Sequence, residues 1–193
     1  WVHHNNNNWG VKTWGLWAKP DKNKFKHVHS HDEYLNNVQW QIEIPETINI
    51  PIKRKDKLIS ILSEKYFDDG HKKRVNFIRY LEANENELIH IFGKENYHQL
   101  NYYQSKLKEN KKENHYIHYK YCFSVENNSE YNYASEKIWE PILCECLPFY
   151  WGCPNLEEYI DHRTFIRLDL NNMEESLSII KKAIEEDWWS QRI

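Results

Sequence analysis

Among its 193 residues the sequence has no run of about 18 apolar residues, the length that spans a bilayer. It also has no N-terminal signal-peptide pattern. Positive charge is not in excess either, because 26 Lys and Arg stand against 29 Asp and Glu, a net charge of -3. The sequence therefore predicts no membrane segment and no general binding to nucleic acid or to a membrane surface.

Methionine is scarce as well. The only Met is Met173, and the chain opens on Trp1. We therefore expect the sequence to be a piece of a longer protein. Its length is enough for one large domain or two small ones with a well-buried core.

The four cysteines are confined to one part of the sequence, at Cys122, Cys144, Cys146 and Cys153. A zinc site needs two separated, suitably spaced pairs or nearby histidines, and Cys144-Glu-Cys146 does not fit that pattern. The pattern favours buried, reduced thiols and therefore a reducing compartment such as the cytoplasm. A Golgi membrane location stays open if an anchor precedes Trp1.

Three histidines alternate with other residues in a strand predicted between Phe25 and His31. Side chains on a strand alternate between its faces, so His27, His29 and His31 would lie on one face. Such a row can bind a metal ion, and a metal-dependent hydrolase is one interpretation. No second set of ligands completes that site, so a solvated or hydrogen-bonded strand face is favoured.

The centre of the sequence contains a complete β-loop-α-β unit. Aromatic and apolar residues alternate with polar ones over 119–125, which predicts a strand. The polar residues 127–133 favour a loop, and Ser135 is a suitable cap for an amphipathic helix that follows. A short apolar run at 147–151 predicts a second buried strand.

A second β-α-β unit precedes this one. Continuous apolar runs at 58–63 and 88–93 predict buried parallel strands. Asp68-Asp69-Gly70 breaks the chain between them and can cap a helix over about 71–85. Further predicted elements are a strand at 164–168, a helix at 173–186 capped by Asn171-Asn172, and a closing helix that starts at Trp188 and Trp189. The order predicts a doubly wound α/β fold with a parallel sheet.

The aperiodic, Pro-containing segment 41–56 indicates a connection between two domains. We predict the partial end of a first domain over residues 1–50 and an α/β domain over 51–193. Residues 94–118 form a polar stretch, for which the sequence predicts only a solvated helix end at 106–112.

Charged residues in the first turns of two predicted helices indicate an anion site. Lys137 follows Glu136 near a helix start, where the positive end of the helix dipole disfavours a lysine. An anion such as a diphosphate between the helix amides and the ammonium removes this conflict. Arg74, early in the preceding helix, can bind two phosphate oxygens with its forked guanidinium. The alternatives are an exposed Glu-Lys pair and a solvated basic turn.

Spaced motifs surround these charges. They are Arg74-Val-Asn-Phe77-Ile-Arg-Tyr-Leu81, then Phe123-Ser-Val-Glu126-Asn127, then Ala134-Ser-Glu136-Lys137, and finally Leu147-Pro148 with Tyr150-Trp-Gly-Cys-Pro154. Together they resemble the donor-binding signature of glycosyltransferase family 10, the α1,3/4-fucosyltransferases. Ser135 stands where that family usually has Thr, and it keeps the hydroxyl.

The resemblance implies the GT-B architecture, here a Rossmann-like donor-binding domain with a remnant of the acceptor domain. It implies transfer of L-fucose from GDP-fucose to a hydroxyl of a glycan acceptor, with inversion. It also implies donor-binding roles, for Arg74 and Lys137 on the diphosphate, for Asn127 and Tyr133 in the nucleotide-sugar pocket, and for Glu136 on hydroxyls of the donor. Glu126 matches as well, with holding the loop as its alternative role.

The resemblance also implies a general base, which in the family is a Glu of the first domain closely followed by Pro. Ala18-Lys19-Pro20 is the nearest counterpart, and it lacks the carboxylate. The base then lies upstream of Trp1, or another group such as Asp21, His29 or Asp32 serves, or the chain alone is inactive.

We expect no cofactor or metal ion to be required. Two cations can neutralise a diphosphate, and no Asp-x-Asp motif stands where a divalent ion would be held. Diphosphate contacts do not report the sugar, so a transferase for another GDP- or UDP-sugar is one alternative. A sugar-binding module that has lost catalysis is the other.

Overall fold

A computed structural model describes residues 48–193, and their strands form one parallel sheet. The six strands in this part of the chain are β1 (Lys55–Leu62), β2 (Ile89–Gly93), β3 (Tyr103–Lys106), β4 (Tyr119–Val125), β5 (Leu147–Trp151) and β6 (Ile166–Arg167). They lie in the order β3-β2-β1-β4-β5-β6, and every neighbouring pair is parallel. The chain therefore reverses its direction across the sheet between β1 and β4, where open α/β sheets bind ligands.

The helices between these strands are α1 (Asp69–Asn84), α2 (Glu113–Tyr116) and α3 (Glu136–Leu143), and α4 (Met173–Glu185) and α5 (Trp188–Arg192) follow β6. The two predicted units, β1-α1-β2 and β4-α3-β5, are confirmed. The Ser135 hydroxyl caps α3 by accepting from the amide of Lys137, and Asn172 Oδ1 caps α4. Asp68 holds the N-cap position of α1, but its side chain makes no capping hydrogen bond.

Strand β3 lies where the sequence predicts only polar chain. Its residues are half-buried or exposed, so they carry no apolar pattern. Backbone pairing to β2, with Ile91 opposite Tyr103, defines it instead. The helix end predicted at 106–112 is wrong in part, because Lys106 ends this strand and a short 3-10 helix, Lys108–Asn110, follows.

Side chains cover both faces of the sheet. Leu58 of β1, Phe77 of α1 and Ile180 of α4 are fully buried in one continuous cluster. Burying side chains of this size contributes roughly 2 kcal/mol each. On the opposite face Ile59 and Tyr119 pack with three of the cysteines. The strands therefore have apolar residues on both sides, which explains their continuous apolar runs.

The four cysteines are buried and free, as the sequence predicts. Burial raises the pKa of the Cys144 thiol to about 12. This thiol is therefore protonated and unreactive at neutral pH.

Arg54 fixes the segment that enters β1. Its side chain is 1% exposed, and Nη1 donates to the carbonyl oxygens of Cys144 (2.9 Å) and Glu145 (2.6 Å). These carbonyls follow α3, whose last turn leaves such groups without helical partners. The segment 41–56, predicted as a connection between two domains, is thus held near its end by the contacts of Arg54. The predicted domain boundary between residues 50 and 51 stays a prediction.

Candidate functional site

The start of α1 lies against the carboxyl end of β4. The amide of Gly70 donates to the carbonyl oxygen of Asn127 over 2.8 Å. A Cβ at Gly70 would overlap the Glu126 carbonyl oxygen and lie 2.7 Å from that of Asn127. Only glycine permits this approach, which brings the first turns of α1 next to the loop after β4.

A cavity of about 380 Å³ opens at this edge of the sheet. Its wall combines the ends of β1 and β4, the first turns of α1 and α3, and the segment around α2. The charged residues and histidine of this wall are Glu64, Lys65, His71, Arg74, Lys94, Lys112, Glu136 and Lys137. Four of the six predicted donor-binding residues line it: Arg74, Asn127, Glu136 and Lys137.

Arg74 is buried in the cavity wall, with only 6% of its surface exposed. Its Nη2 donates to the backbone oxygen of Val125, the last residue of β4. Its Nε has no hydrogen-bond partner within the described part of the chain. A buried N–H without an acceptor is costly, so this guanidinium is suited to bind an anion that enters the cavity.

Glu126 is fully buried, and it organises the start of α3. Its carboxylate accepts from the amide (2.9 Å) and the hydroxyl (2.6 Å) of Ser135, and from Tyr150 Oη (3.4 Å). These contacts correspond to the loop-holding role that the sequence left open for Glu126. Glu126 Oε2 also lies 3.8 Å from Lys137 Nζ, so this carboxylate helps to position the Lys137 ammonium at the cavity wall.

Lys137 and Glu136 form an ion pair at the cavity wall. Lys137 Nζ lies 3.1 Å from Glu136 Oε1, and Lys112 Nζ lies 3.5 Å from the same oxygen. Burial acts to raise the pKa of the Glu136 carboxyl, but the charges of Lys137 and Lys112 outweigh it and lower this pKa to about 2. Glu136 is therefore ionised at neutral pH and shared between two cations.

Tyr133 does not belong to the cavity wall. It is half-buried, and burial together with the charges of Glu126 and Glu136 raises the pKa of its hydroxyl. The hydroxyl is thus a neutral hydrogen-bonding group at neutral pH. Its predicted contact with a nucleotide sugar stays a prediction.

His71, in the first turn of α1, is 4% exposed and also lines the cavity. Its Nδ1 lies 3.5 Å from Asp68 Oδ2 and makes no hydrogen bond within the described residues. Burial and then the charges of Arg74, Lys137 and Lys65 lower the pKa of His71 to about 4, and a hydrogen bond with Asn127 opposes them. The imidazole is neutral at neutral pH.

Within residues 48–193, no group of three or more His, Cys, Asp or Glu side chains is arranged to hold a metal ion. None of the helices in these residues is long and apolar enough to cross a membrane. His27, His29 and His31, and the base candidates Asp21 and Asp32, lie outside the described residues. The metal site and the general base that were assigned to them stay predictions.

A comparison with protein families decides what kind of domain this is. Residues 52–187 match the family model described as glycosyltransferase family 10 (fucosyltransferase), C-terminal part. The chain belongs to glycosyltransferase family 10. This confirms the resemblance that the sequence motifs carry.

Two curated relatives match this family 10 chain over shorter stretches. An α-(1,3)-fucosyltransferase of Helicobacter pylori is 31% identical over 64 residues, which are 33% of this chain and 13% of the relative. A GDP-fucose protein O-fucosyltransferase 3 of Danio rerio is 28% identical over 72 residues, 37% of this chain and 16% of the relative. The chain therefore covers only a small part of the length of these relatives.

Solved structures of an α1,3-fucosyltransferase share the fold of this domain. The structure with GDP-fucose superposes with a TM-score of 0.55 and the one with GDP with 0.54, both at 21% identity. Each comparison covers 72% of this chain and 38% of the solved chain. The predicted α/β fold of the GT-B type is confirmed.

Among the described cavity residues of this family 10 domain without a predicted role, two have polar side chains that contact predicted donor-binding residues: Lys112 contacts Glu136, and His71 contacts Asn127. Lys112 lies in the polar stretch for which no site was predicted, and its Nζ is also 2.9 Å from Glu140 Oε2, a carboxylate that is 1% exposed in the fold. His71 stands three residues before Arg74, in a basic run where the arginine alone carries the motif. Neither has a sequence signal of its own, because each meets the predicted site through a residue distant in the chain, Glu136 for Lys112 and Asn127 for His71.

The buried imidazole should make the stability of the domain depend on pH. The folded-state pKa of His71, about 4, lies below the unfolded value of about 6.5, so the unfolded chain binds a proton that the folded chain excludes. We expect the free energy of unfolding to fall by about 2 kcal/mol from this group between about pH 7 and pH 5. Urea denaturation of His71→Gln at both pH values should show a pH difference smaller by that amount. Equal pH differences in the two proteins would contradict this assignment.

Proposed function

We propose that this domain binds the nucleoside diphosphate of GDP-fucose in the cavity, as the donor half of an inverting fucosyltransferase. The observation that carries the proposal is Arg74, a buried guanidinium whose Nε has no hydrogen-bond partner among residues 48–193, on the same cavity wall as Lys137. Both cations lie where the chain reverses direction across a parallel sheet. Binding of GDP-fucose by the chain, measured by calorimetry, is the direct test.

The charge of the cavity supports an anionic ligand. Five cationic side chains line it against two carboxylates, Glu64 and Glu136, an excess of three positive charges. Like charges held at one site repel each other, and an anion of about two negative charges relieves that repulsion. Ser135 caps α3, and Glu136 and Lys137 of its first turn line the cavity, so the positive end of the helix dipole adds to the same field.

The relatives support the choice of donor. One curated relative is named for GDP-fucose, and solved relatives contain GDP or GDP-fucose. In the proposed reaction the bond between the anomeric carbon of fucose and the diphosphate oxygen breaks, and GDP leaves with the electron pair. An acceptor hydroxyl oxygen forms the new bond from the opposite face of the sugar, which inverts the anomeric centre. A base takes the acceptor proton, and the cations hold the charge that develops on GDP.

We further propose that Arg74 and Lys137 neutralise the charge of the diphosphate without a divalent ion. GDP-fucose should then bind with unchanged affinity in excess EDTA. Loss of binding in EDTA that is restored by Mg²⁺ or Mn²⁺ would overturn this part of the proposal and leave donor binding itself standing.

Replacement of Lys137 by alanine should weaken GDP binding by about tenfold, because one charge-assisted contact to the diphosphate is lost. Calorimetry with GDP, UDP and GDP-fucose measures this, and we expect GDP to bind more tightly than UDP. Lys72→Ala is the matched control, since Lys72 is an exposed lysine of α1 outside the cavity wall. Equal losses in the two variants, or equal affinities for GDP and UDP, would contradict the assignment of the donor.

The same measurements separate the neighbouring functions. A transferase for another nucleotide sugar would bind a different nucleoside diphosphate more tightly. A module without catalysis would bind GDP-fucose but release no GDP when glycan acceptors are added to the full-length protein. Neither alternative changes the assignment of the cavity as the diphosphate site.

A further inference from the structure

His71 occupies an unusual position for a histidine at a cavity wall. It is 4% exposed, although it borders a space large enough for a ligand. Its Nδ1 is buried and makes no hydrogen bond within residues 48–193. The motif that marks the donor site includes Arg74, three residues later, but gives no role to position 71.

The charged groups around this imidazole come from three parts of the chain, the loop between β1 and α1, α1 itself and α3. They are Asp68 in the turn before α1, Arg74 on α1 itself, Lys65 in the loop after β1 and Lys137 on α3, and Asn127 of the loop after β4 hydrogen-bonds to the ring. The edge of the Phe67 ring covers the imidazole at 5.1 Å between centroids. Three cations therefore face His71 against a single carboxylate, Asp68 at 3.5 Å. Burial and then these cations keep the ring neutral while the cavity holds no anion.

We propose that the His71 imidazole takes up one proton when a nucleotide sugar binds and then forms a third cationic contact with the diphosphate. This inference rests on the proposed function, because it places the diphosphate beside Arg74 and Lys137. The proton comes from the solvent, and no covalent bond forms or breaks.

Electrostatics gives the direction of this effect. A bound diphosphate brings about two negative charges next to the three cations, which reverses the sign of the local field at the ring. The protonated imidazole then gains an anionic partner, and both of its nitrogens become donors. Affinity for the donor should therefore rise as the pH falls through the interval between the free and the bound pKa of His71.

The probe for this effect is GDP-fucose rather than GDP. The terminal phosphate of GDP has a titrating proton near pH 6, as phosphate monoesters do, whereas the diphosphate of a nucleotide sugar has none in this range. Any pH dependence of GDP-fucose binding then belongs to the protein. Calorimetry at constant pH in two buffers of different ionisation enthalpy counts the protons taken up on binding.

We expect GDP-fucose to bind at least about tenfold more tightly at about pH 5.5 than at about pH 7.5, with uptake of about one proton at the lower pH and of a fraction of a proton near neutral pH. His71→Gln keeps a hydrogen-bonding side chain without a titrating proton, and it should remove both the pH dependence and the proton uptake. Tryptophan fluorescence at each pH confirms that both proteins are folded.

The outcomes are distinct. Uptake of no protons by the wild-type protein, or an unchanged pH profile in His71→Gln, overturns the role of His71. If GDP-fucose does not bind at any pH, the proposed function fails first. If His71→Gln does not fold, the proton count for the wild-type chain alone decides, because binding without uptake is incompatible with the proposal.

Discussion

Replacing Arg74 by alanine should lower the affinity for GDP-fucose by about a hundredfold, a loss of about 3 kcal/mol. The guanidinium is 6% exposed and already positioned by Nη2, which donates to the Val125 oxygen at the end of β4. It therefore loses little conformational freedom on binding a phosphate, and its Nε, which has no partner in the described part of the chain, gains an acceptor. Calorimetry with GDP-fucose measures the loss directly.

Two variants control this experiment. Arg79→Ala removes an arginine of the same helix whose side chain is exposed, and it should change affinity by less than about threefold. Arg74→Lys keeps the charge without the fork, so its affinity should lie between the two. Thermal unfolding of each protein separates a binding defect from the loss of the contact to Val125. Wild-type affinity in a folded Arg74→Ala protein would refute the diphosphate site.

Substitution of Gly70 by alanine should destabilise the domain by about 3 kcal/mol or more, since a Cβ there would overlap backbone rather than a movable side chain. The carbonyl oxygens of Glu126 and Asn127 must move away from α1, which also breaks the 2.8 Å hydrogen bond from the Gly70 amide. The loop after β4 shapes the cavity, so GDP-fucose affinity should fall together with stability.

The destabilisation expected for Gly70→Ala is opposite in sign to the usual effect of this substitution in a helix. In an ordinary helix, alanine in place of glycine stabilises by about 1 kcal/mol, because glycine loses more backbone freedom on folding. Lys72→Ala, at an exposed position in the same helix, controls for helix propensity. Urea denaturation measures both. A Gly70→Ala protein as stable as the wild type would show that α1 does not approach the loop after β4 this closely.

Much of the fold could be predicted because the central strands are buried on both faces. β1 is apolar from Leu58 to Leu62 except at Ser60, and six of the seven residues of β4 are buried, because helices cover each side of the sheet. Ser135 could be predicted as the cap of α3 because capping depends only on residues next to each other in the chain. By contrast, β3 lies at the edge and pairs through its backbone, so its side chains carry no pattern.

The site could be predicted only where a motif records it. The motif resemblance drew attention to Arg74, Asn127, Glu136 and Lys137, and the structure gathers all four around one cavity. The motif could not distinguish two roles for Glu126. The Glu126 carboxylate is buried and accepts two hydrogen bonds from Ser135. These contacts depend on how the chain packs, and the spacing of a motif does not predict them.

The sequence by itself determined the α/β fold, the helix cap at Ser135 and the family, because burial patterns and motifs are local properties of the chain. The tertiary structure alone decided that Lys112 shares Glu136 with Lys137, and that Lys137, a cation of another helix, faces His71. The physical reason is that charge and burial act through distance in space. Residues 71 and 137 are far apart in the chain and face the same cavity only because β1 and β4 are neighbours in the sheet.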